Sequence, residues 1–175
     1  MKLKFGFGIA LLAAAILLIP RTTSAQSKRE ADGARLLRGA VDVHFHMDAM
    51  TPSGGSVQAD IATVRVARDR GVRALLIKNH FEPTATLAWL LRKEVPGIEL
   101  YGGLVMNLSN GGMNPAGVEY MTTQISDTPG KVVWMPAFNS EIEARNSKEP
   151  NKPFVAVSKN GELLPATKQV LALVA

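Results

Sequence analysis

Two histidines, His44 and His46, are spaced so that both side chains can act at one site. They close the segment Val41–His46, which has a glycine shortly before it and a loop rich in Gly, Ser and Pro after it. Such a short β-branched run is predicted to be a strand. Side chains two residues apart on a strand point to the same face. Two neutral imidazoles that converge in this way begin a site for zinc or a similar divalent ion.

A third imidazole and a lysine are predicted to follow the neighbouring strand. His80 is the one other histidine of the chain, and it comes directly after an apolar run over residues 72–78. Such a run is typical of a strand that is buried on both faces in a parallel sheet. We therefore predict His44, His46 and His80 as metal ligands, with His80 alternatively a catalytic imidazole. Lys78 shares the face of His80 and is predicted as a charge partner or, if carboxylated, as a bridging carbamate.

Each of these residues also has a purely structural interpretation. The histidine pair could lie at the surface or at the edge of the core without binding a metal, and Lys78 could form a salt bridge. Asp42 and Asp48 flank the pair and could orient an imidazole by accepting its second N–H. Asn107 and Asn114 are predicted to be turn and cap residues rather than ligands.

The first 25 residues have the pattern of a secretory signal peptide. Lys2 and Lys4 precede an apolar run over residues 5–19, and a small-residue cleavage site follows. The run is shorter than the roughly 20 residues that span a bilayer. We expect an exported protein, periplasmic or secreted, without stable membrane association after cleavage; an uncleaved anchor is the alternative. Residues 26–39 are predicted to be a linker or a short lead-in helix.

Charge and cysteine content exclude several classes of site. The predicted leader holds three of the cations, which reduces the net charge from +5 to +2 for the remaining 150 residues. No basic block with interleaved aromatic residues is present, so we predict no nucleic-acid partner. The chain has no cysteine, which excludes disulfides, thiolate ligands and a thiol nucleophile.

Residues 40–175 alternate strand-like and helical patterns. Strand-like runs begin near residues 41, 72, 98 and 132, which is the βαβ signature of a parallel α/β sheet. A small hairpin around Asn160–Gly161 and a last helix from Pro165 are predicted to follow. A full (β/α)8 barrel takes about 250 residues, so the pattern predicts a partial TIM-like barrel of about four βα units. The chain ends inside an apolar helical pattern, so we expect either a truncated chain or a half barrel that pairs with a second copy as a homo-oligomer.

The motif formed by Asp42, His44 and His46 resembles the first-strand D-x-H-x-H motif of the amidohydrolase superfamily of metal-dependent hydrolases. Further stretches resemble an uncharacterised amidohydrolase-related group of that superfamily: residues 76–80, 102–107, 111–115 and 132–136. The resemblance covers residues 40–175. It implies a TIM-like barrel that binds one or two divalent metals, zinc first with manganese or iron as alternatives, and acts on a small-molecule substrate.

In the implied reaction the metal lowers the pKa of a bound water to about 7 and polarises the bond under attack. A general base takes the proton, and the water attacks an amide, an ester or a related C–N or C–O bond. The later ligands of the superfamily have no counterparts in this chain, because the fourth strand ends in Met135 and Pro136. The resemblance therefore assigns no residue of this chain to the general base or to the remaining metal ligands.

Two other functions compete with the hydrolase. An early His-x-His pair followed by a second strand ending in Asp-His is typical of the polymerase and histidinol phosphatase group of phosphoesterases. Asn79 and His80 occupy that second place, with Asn where that group has Asp. The third hypothesis is a non-catalytic exported binding module, a half barrel that has lost its chemistry; the missing ligands favour it.

Overall fold

The computed structural model describes residues 24–47, 61–127 and 129–175, with side chains described from residue 28 onward. The predicted signal peptide lies almost entirely outside the described residues. The chain divides after Leu36 into two units. The described part of the first unit is helical and belongs to α1 (Ser24–Leu37). In the part of the chain that is described, no helix has both the length and the apolar character needed to cross a membrane.

The second unit is a mixed α/β structure built on a parallel sheet of four strands, as the sequence predicts. The strands lie in chain order, β1 (Val41–His46), β2 (Ala74–Lys78), β3 (Glu99–Val105) and β4 (Gly130–Trp134). The helices are α2 (Ile61–Asp69), α3 (Ala85–Glu94), α4 (Pro115–Thr123), α5 (Glu141–Asn146) and α6 (Pro165–Val174). A hairpin of β5 (Ser158–Lys159) and β6 (Glu162–Leu163) precedes α6.

One face of the sheet is covered by helices. Leu75 and Ile77 of β2 and Leu100 of β3 pack with apolar residues of α2 and α3 in one buried cluster. Leu104 of β3 packs with residues of α4 and α6 in a second cluster. Leu100 and Leu104 are four residues apart on one strand and so share a face. Both clusters, which contain most of the buried apolar side chains, therefore lie on that face.

The opposite face of the sheet carries the polar groups. Lys78 is the residue of β2 that pairs with His46, and it is adjacent to Ile77, so its side chain points away from the helices. Trp134 of β4 lies on the same side, because the Nζ atom of Lys78 is 5.6 Å from the centre of its ring. The residues predicted to do chemistry thus face away from the hydrophobic clusters.

Turn and cap chemistry is confirmed where the sequence predicts it. Asn160 and Gly161 both have positive φ, at 53° and 82°, as a type I′ hairpin turn requires. Asn114 caps α4 through a 3.0 Å bond accepted from the N–H of Gly117, and Pro115 takes the first helical position. The polar segment over residues 137–152, whose sequence has no clear periodicity, contains the short helix α5.

Two glycines let neighbouring segments approach β3 closely. A Cβ on Gly102 would lie within 3.0 Å of backbone atoms of Thr84, and a Cβ on Gly103 would do so with the carbonyl oxygen of Val132 and the ring of Trp134. The pairing of β3 with β4 shifts its register at the same two glycines. Glycine inside a strand often marks such a bulge or close approach.

Candidate metal centre

The ends of β1 and β2 bring three side-chain nitrogens together. The Nε2 atoms of His44 and His46 are 3.0 Å apart, and the Nζ atom of Lys78 is 3.1 Å from Nε2 of His44. The contact arises because β1 and β2 pair in parallel with His46 beside Lys78, so that both strands end at the same edge of the sheet. Two of the three predicted metal ligands and the predicted charge partner are therefore in contact.

Nε2 of His44 is the central atom of this cluster. A lysine ammonium can only donate a hydrogen bond, so Nε2 of His44 accepts the bond when Lys78 is protonated. A neutral imidazole has one nitrogen lone pair, and the Nε2 atom of His46 approaches the same nitrogen. Lys78 and His46 thus compete for one lone pair, which is also the pair that a metal ion would use.

Lys78 is largely withdrawn from solvent, with 7% of its surface exposed. Its stem continues a strand that is buried along its whole length, and its ammonium lies 5.6 Å from the centre of the Trp134 ring. An ammonium at this distance from an aromatic face gains a cation–π attraction. Lys78 is therefore held beside His44 by packing as well as by the hydrogen bond.

Asp42 contacts the main chain of β1. The β1–β2 pairing is irregular between Asp42 and Phe45, with one extra residue on β1, and this interrupts the simple alternation of side chains. The Oδ1 atom of Asp42 accepts a 2.9 Å bond from the main-chain N–H of His44. Asp42 therefore fixes the backbone under His44, and its role in orienting an imidazole ring stays a prediction. Asp48 lies outside the described residues.

Partial burial lowers the pKa of His44 below 6.5, the neighbouring Lys78 cation lowers it further, as does His46, and Asp42 opposes them. The shift favours the neutral ring, which is the form that binds metals. Because the pKa is lower in the folded chain than the unperturbed value, protonation of His44 disfavours the folded state as the pH falls through 6.5. Since His44 is exposed, solvent screening keeps this loss of stability small.

Replacing Lys78 with methionine should raise the pKa of His44 toward 6.5 without reaching it. The substitution removes the cation and keeps the burial, which is the larger cause of the shift. The measurement is an NMR titration of the histidine ring signals in metal-free protein. Lys131→Met, at an exposed position of β4, is the control and should leave the titration unchanged; an unchanged midpoint in Lys78→Met would contradict the assignment.

His80 lies beside the cluster, against the rings of His46 and Phe138. Its ring centre is 4.9 Å from that of His46 and 4.3 Å from that of Phe138. Across the described ranges, no group of three His, Cys, Asp or Glu side chains is arranged to hold a metal ion. The role of His80 as a third ligand or as a catalytic imidazole stays a prediction.

Three asparagines that follow strands organise the loops around the site. Asn107 is fully buried; its Nδ2 atom donates to the carbonyl oxygen of His80 at 2.9 Å, and its Oδ1 atom accepts from the N–H groups of Ala137 and Asn139. It thereby joins the loops after β2, β3 and β4. The sequence predicts only a turn or cap residue at Asn107, and its position shortly after a buried strand is the signal that points to a larger role.

The other two asparagines act within this arrangement. The Oδ1 atom of Asn79 accepts from the N–H groups of Phe81 and Glu82 at 2.7 and 3.0 Å, which fixes a tight turn immediately after β2. The Oδ1 atom of Asn139 accepts from the N–H of Leu108 at 3.1 Å. The loops that carry His80 and its neighbours are therefore held by side chains rather than by regular secondary structure.

Comparison with known protein families gives one match. The sequence profile of a family of unknown function, DUF6282, matches residues 39–175. The chain belongs to the DUF6282 family. The match spans the whole sheet and every helix that packs on it. No curated protein and no solved structure matches the chain significantly, so the DUF6282 assignment comes without an activity, and the resemblance to amidohydrolases stays a prediction.

Proposed function

We propose that this DUF6282 protein is a metal-dependent hydrolase of the amidohydrolase type, built on half of a (β/α)8 barrel. The observation that carries the proposal is the 3.0 Å approach of the two Nε2 atoms of His44 and His46. Two imidazole nitrogens that bind one tetrahedral zinc ion, each at about 2.0–2.1 Å, lie roughly 3.3 Å apart. The pair is therefore within a few tenths of an ångström of the spacing of shared ligands, in addition to having the motif.

The half barrel is supported by the layering of the sheet. The described helices that pack on the sheet cover one face, and the candidate site lies at the C-terminal ends of the strands on the other face. In (β/α)8 barrels the helices form an outer ring and the active site lies at the C-terminal ends of the strands. The four parallel strands in chain order correspond to four consecutive units of such a barrel.

The donor set fits a divalent ion. His44 and His46 would hold it, with His80 as a third ligand or as a proton-transfer group. When bound, such an ion supplies Lewis acidity and a water of lowered pKa. The ammonium of Lys78 is hydrogen-bonded to the lone pair of His44 that the ion requires. Uptake of the ion therefore requires Lys78 to move away from that nitrogen or to lose its proton.

His80 is the group best placed to move a proton. An imidazole titrates in the physiological range and can both accept and donate. The backbone of His80 is fixed by Asn107 through the 2.9 Å bond to its carbonyl oxygen, and its ring lies against that of His46. A proton acceptor held in this way beside the ligand pair is the arrangement that hydrolysis needs.

The phosphoesterase alternative is weakened by Asn79. In that group the residue before the histidine is an aspartate. Here the Oδ1 atom of Asn79 is committed to two main-chain N–H groups, and 6% of the residue's surface is exposed. Asn79 is a turn residue in this chain, so we retain the hydrolase of the amidohydrolase type as the proposal.

The deciding experiment measures metal content by elemental mass spectrometry on the purified chain and on a His44→Ala/His46→Ala variant. We expect close to one zinc, manganese or iron ion per chain, and loss of that ion in the variant with the fold retained. Glu119→Ala, at an exposed position of α4, is the control and should keep the ion.

Turnover separates the enzyme from a binding module. Hydrolysis of 4-nitrophenyl acetate by the metal-loaded chain should disappear in the double-histidine variant and persist in Glu119→Ala. Stoichiometric metal in the double variant would contradict the site. Metal binding without turnover of ester or amide substrates would favour the non-catalytic binding module.

A further inference from the structure

Two phenylalanines form an aromatic surface beside His80. The ring centre of Phe138 is 4.3 Å from that of His80. Phe81 stacks on Phe138 with ring centres 5.7 Å apart and an interplanar angle of 22°. Despite these contacts 38% of Phe81 and 47% of Phe138 remain exposed. The rings of His46, His80, Phe138 and Phe81 thus form a continuous series that leads away from the candidate metal centre.

The backbone holds both phenylalanines rigidly. The N–H of Phe81 donates to Asn79 at 2.7 Å, and the N–H groups of the two residues flanking Phe138 both donate to Oδ1 of the buried Asn107. Single exposed apolar residues are common on protein surfaces and would carry no argument. A pair of stacked rings on loops that buried side chains fix is preorganised, and a ligand that binds it does not have to order those loops.

We propose that Phe81 and Phe138 form a subsite for an aryl group, so that the substrates carry an aromatic ring next to the bond that is cleaved. The inference rests on the proposed function and names its substrate class. An aromatic ring prefers offset-stacked or edge-on contacts with centres about 4.5–7 Å apart, and nearly half of the Phe138 surface, next to His80, remains exposed for such a contact. A ring bound there lies next to the group that is proposed to transfer the proton.

An apolar cavity in another part of the molecule is not the proposed aryl subsite. It has a volume of about 530 Å³ and is lined by residues of α3, β3, α4 and the segments that flank them, including Leu104, Tyr120 and Met121. Leu104 and Met121 belong to the hydrophobic cluster under the helices. The cavity therefore opens on the helix-covered side of the sheet, whereas the imidazoles lie on the other side. The experiment must therefore distinguish binding of an aryl group in this cavity from binding at Phe81 and Phe138.

The first test uses benzyl alcohol, an aryl probe that has no affinity for metals, on the metal-free chain. NMR titration should shift the signals of His80, Phe81 and Phe138, and these shifts should be lost in Phe138→Ala. Phe154→Ala, which removes another phenylalanine of similar exposure (41%), is the control and should retain them. Shifts confined to the α3–α4 cavity, no shifts, or shifts unchanged in Phe138→Ala would each overturn the subsite.

A second variant separates aromatic recognition from general apolar contact. Phe138→Leu keeps apolar bulk and removes the ring face, so the fold should persist and benzyl alcohol should bind several-fold more weakly than to the native chain. Binding at the native strength would overturn the aryl assignment. A collapse of the melting temperature in both variants at position 138, with no binding to the native chain, would mean that the ring serves packing and would also overturn it.

The metal-loaded chain distinguishes failure of the subsite from failure of the proposed function. Benzohydroxamate should bind about tenfold more tightly than acetohydroxamate, an advantage of the size that aromatic contacts supply, and Phe138→Ala should bring the two to similar affinity. If both hydroxamates bind equally to the native chain, the metal site stands and the subsite is wrong. If neither binds and benzyl alcohol still shifts His80, the subsite stands and the metal-dependent function is wrong.

Discussion

Asn107→Ala should lower the free energy of unfolding by about 3 kcal/mol, since it removes three hydrogen bonds made by one buried side chain. The side chain is fully buried and makes three bonds, one to the carbonyl oxygen of His80 and two from the N–H groups of Ala137 and Asn139. Truncation to alanine removes all three. Urea denaturation measures the change.

The same substitution should loosen two loops that are remote from each other in sequence. Hydrogen exchange should accelerate at residues 79–82 and 137–139, because Asn107 is the residue that joins them. Asn146→Ala, at an exposed position of α5, is the control and should change stability by less than about 0.5 kcal/mol. Accelerated exchange spread evenly over the sheet, or a stability close to that of the control, would contradict the assigned role.

The parts of the fold that were predicted correctly depend on local sequence. The bounds of β1 agree with the prediction because a short β-branched run between turn residues has one favourable conformation. Asn114 and Pro115 mark the start of α4, and Asn160 and Gly161 mark the hairpin, because caps and I′ turns depend on the chemistry of one or two residues. In each of these cases the deciding interaction spans only a few positions of the chain.

The parts that were missed depend on contacts between distant segments. The register irregularity in β1 between Asp42 and Phe45 arises in the pairing with β2, more than thirty residues later, and strand alternation alone cannot predict it. The central role of Asn107 requires the loops after β2 and β4 to be near, which only the assembled sheet provides. The sequence predicts that an asparagine after a strand is a turn residue. Asn79 is such a residue, whereas Asn107 also joins loops that are distant in the sequence.

The candidate site lies between these two cases. The His-x-His spacing placed His44 and His46 on one face, and the structure brings their nitrogens into contact. The position of Lys78 followed from the parallel order of β1 and β2. The ring contact of Phe138 with His80 could not be predicted, because Phe138 lies in a polar segment without periodicity, 58 residues after His80. Local spacing thus predicts ligand pairs, and tertiary assembly determines what surrounds them.

Gly103→Ala should destabilise the chain by about 3 kcal/mol, at the upper end of what overpacking costs in a rigid core. The new methyl group would lie within 3.0 Å of the carbonyl oxygen of Val132 and of the ring of Trp134. The ring could rotate away, but the carbonyl belongs to the backbone of the adjacent strand. Relief therefore requires β3 and β4 to separate, and their ladder of hydrogen bonds resists this.

The effect of Gly103→Ala should extend to the candidate site, since Trp134 also lies within cation–π distance of Lys78. A change in tryptophan fluorescence of the native state should accompany the loss of stability in urea denaturation. Gly33→Ala is the matched control, because no atom lies within 4 Å of its added methyl group and alanine favours the helix in which it sits. If Gly103→Ala were as stable as Gly33→Ala, the close approach of β4 to β3 would be wrong, and with it the position of the Trp134 ring beside Lys78.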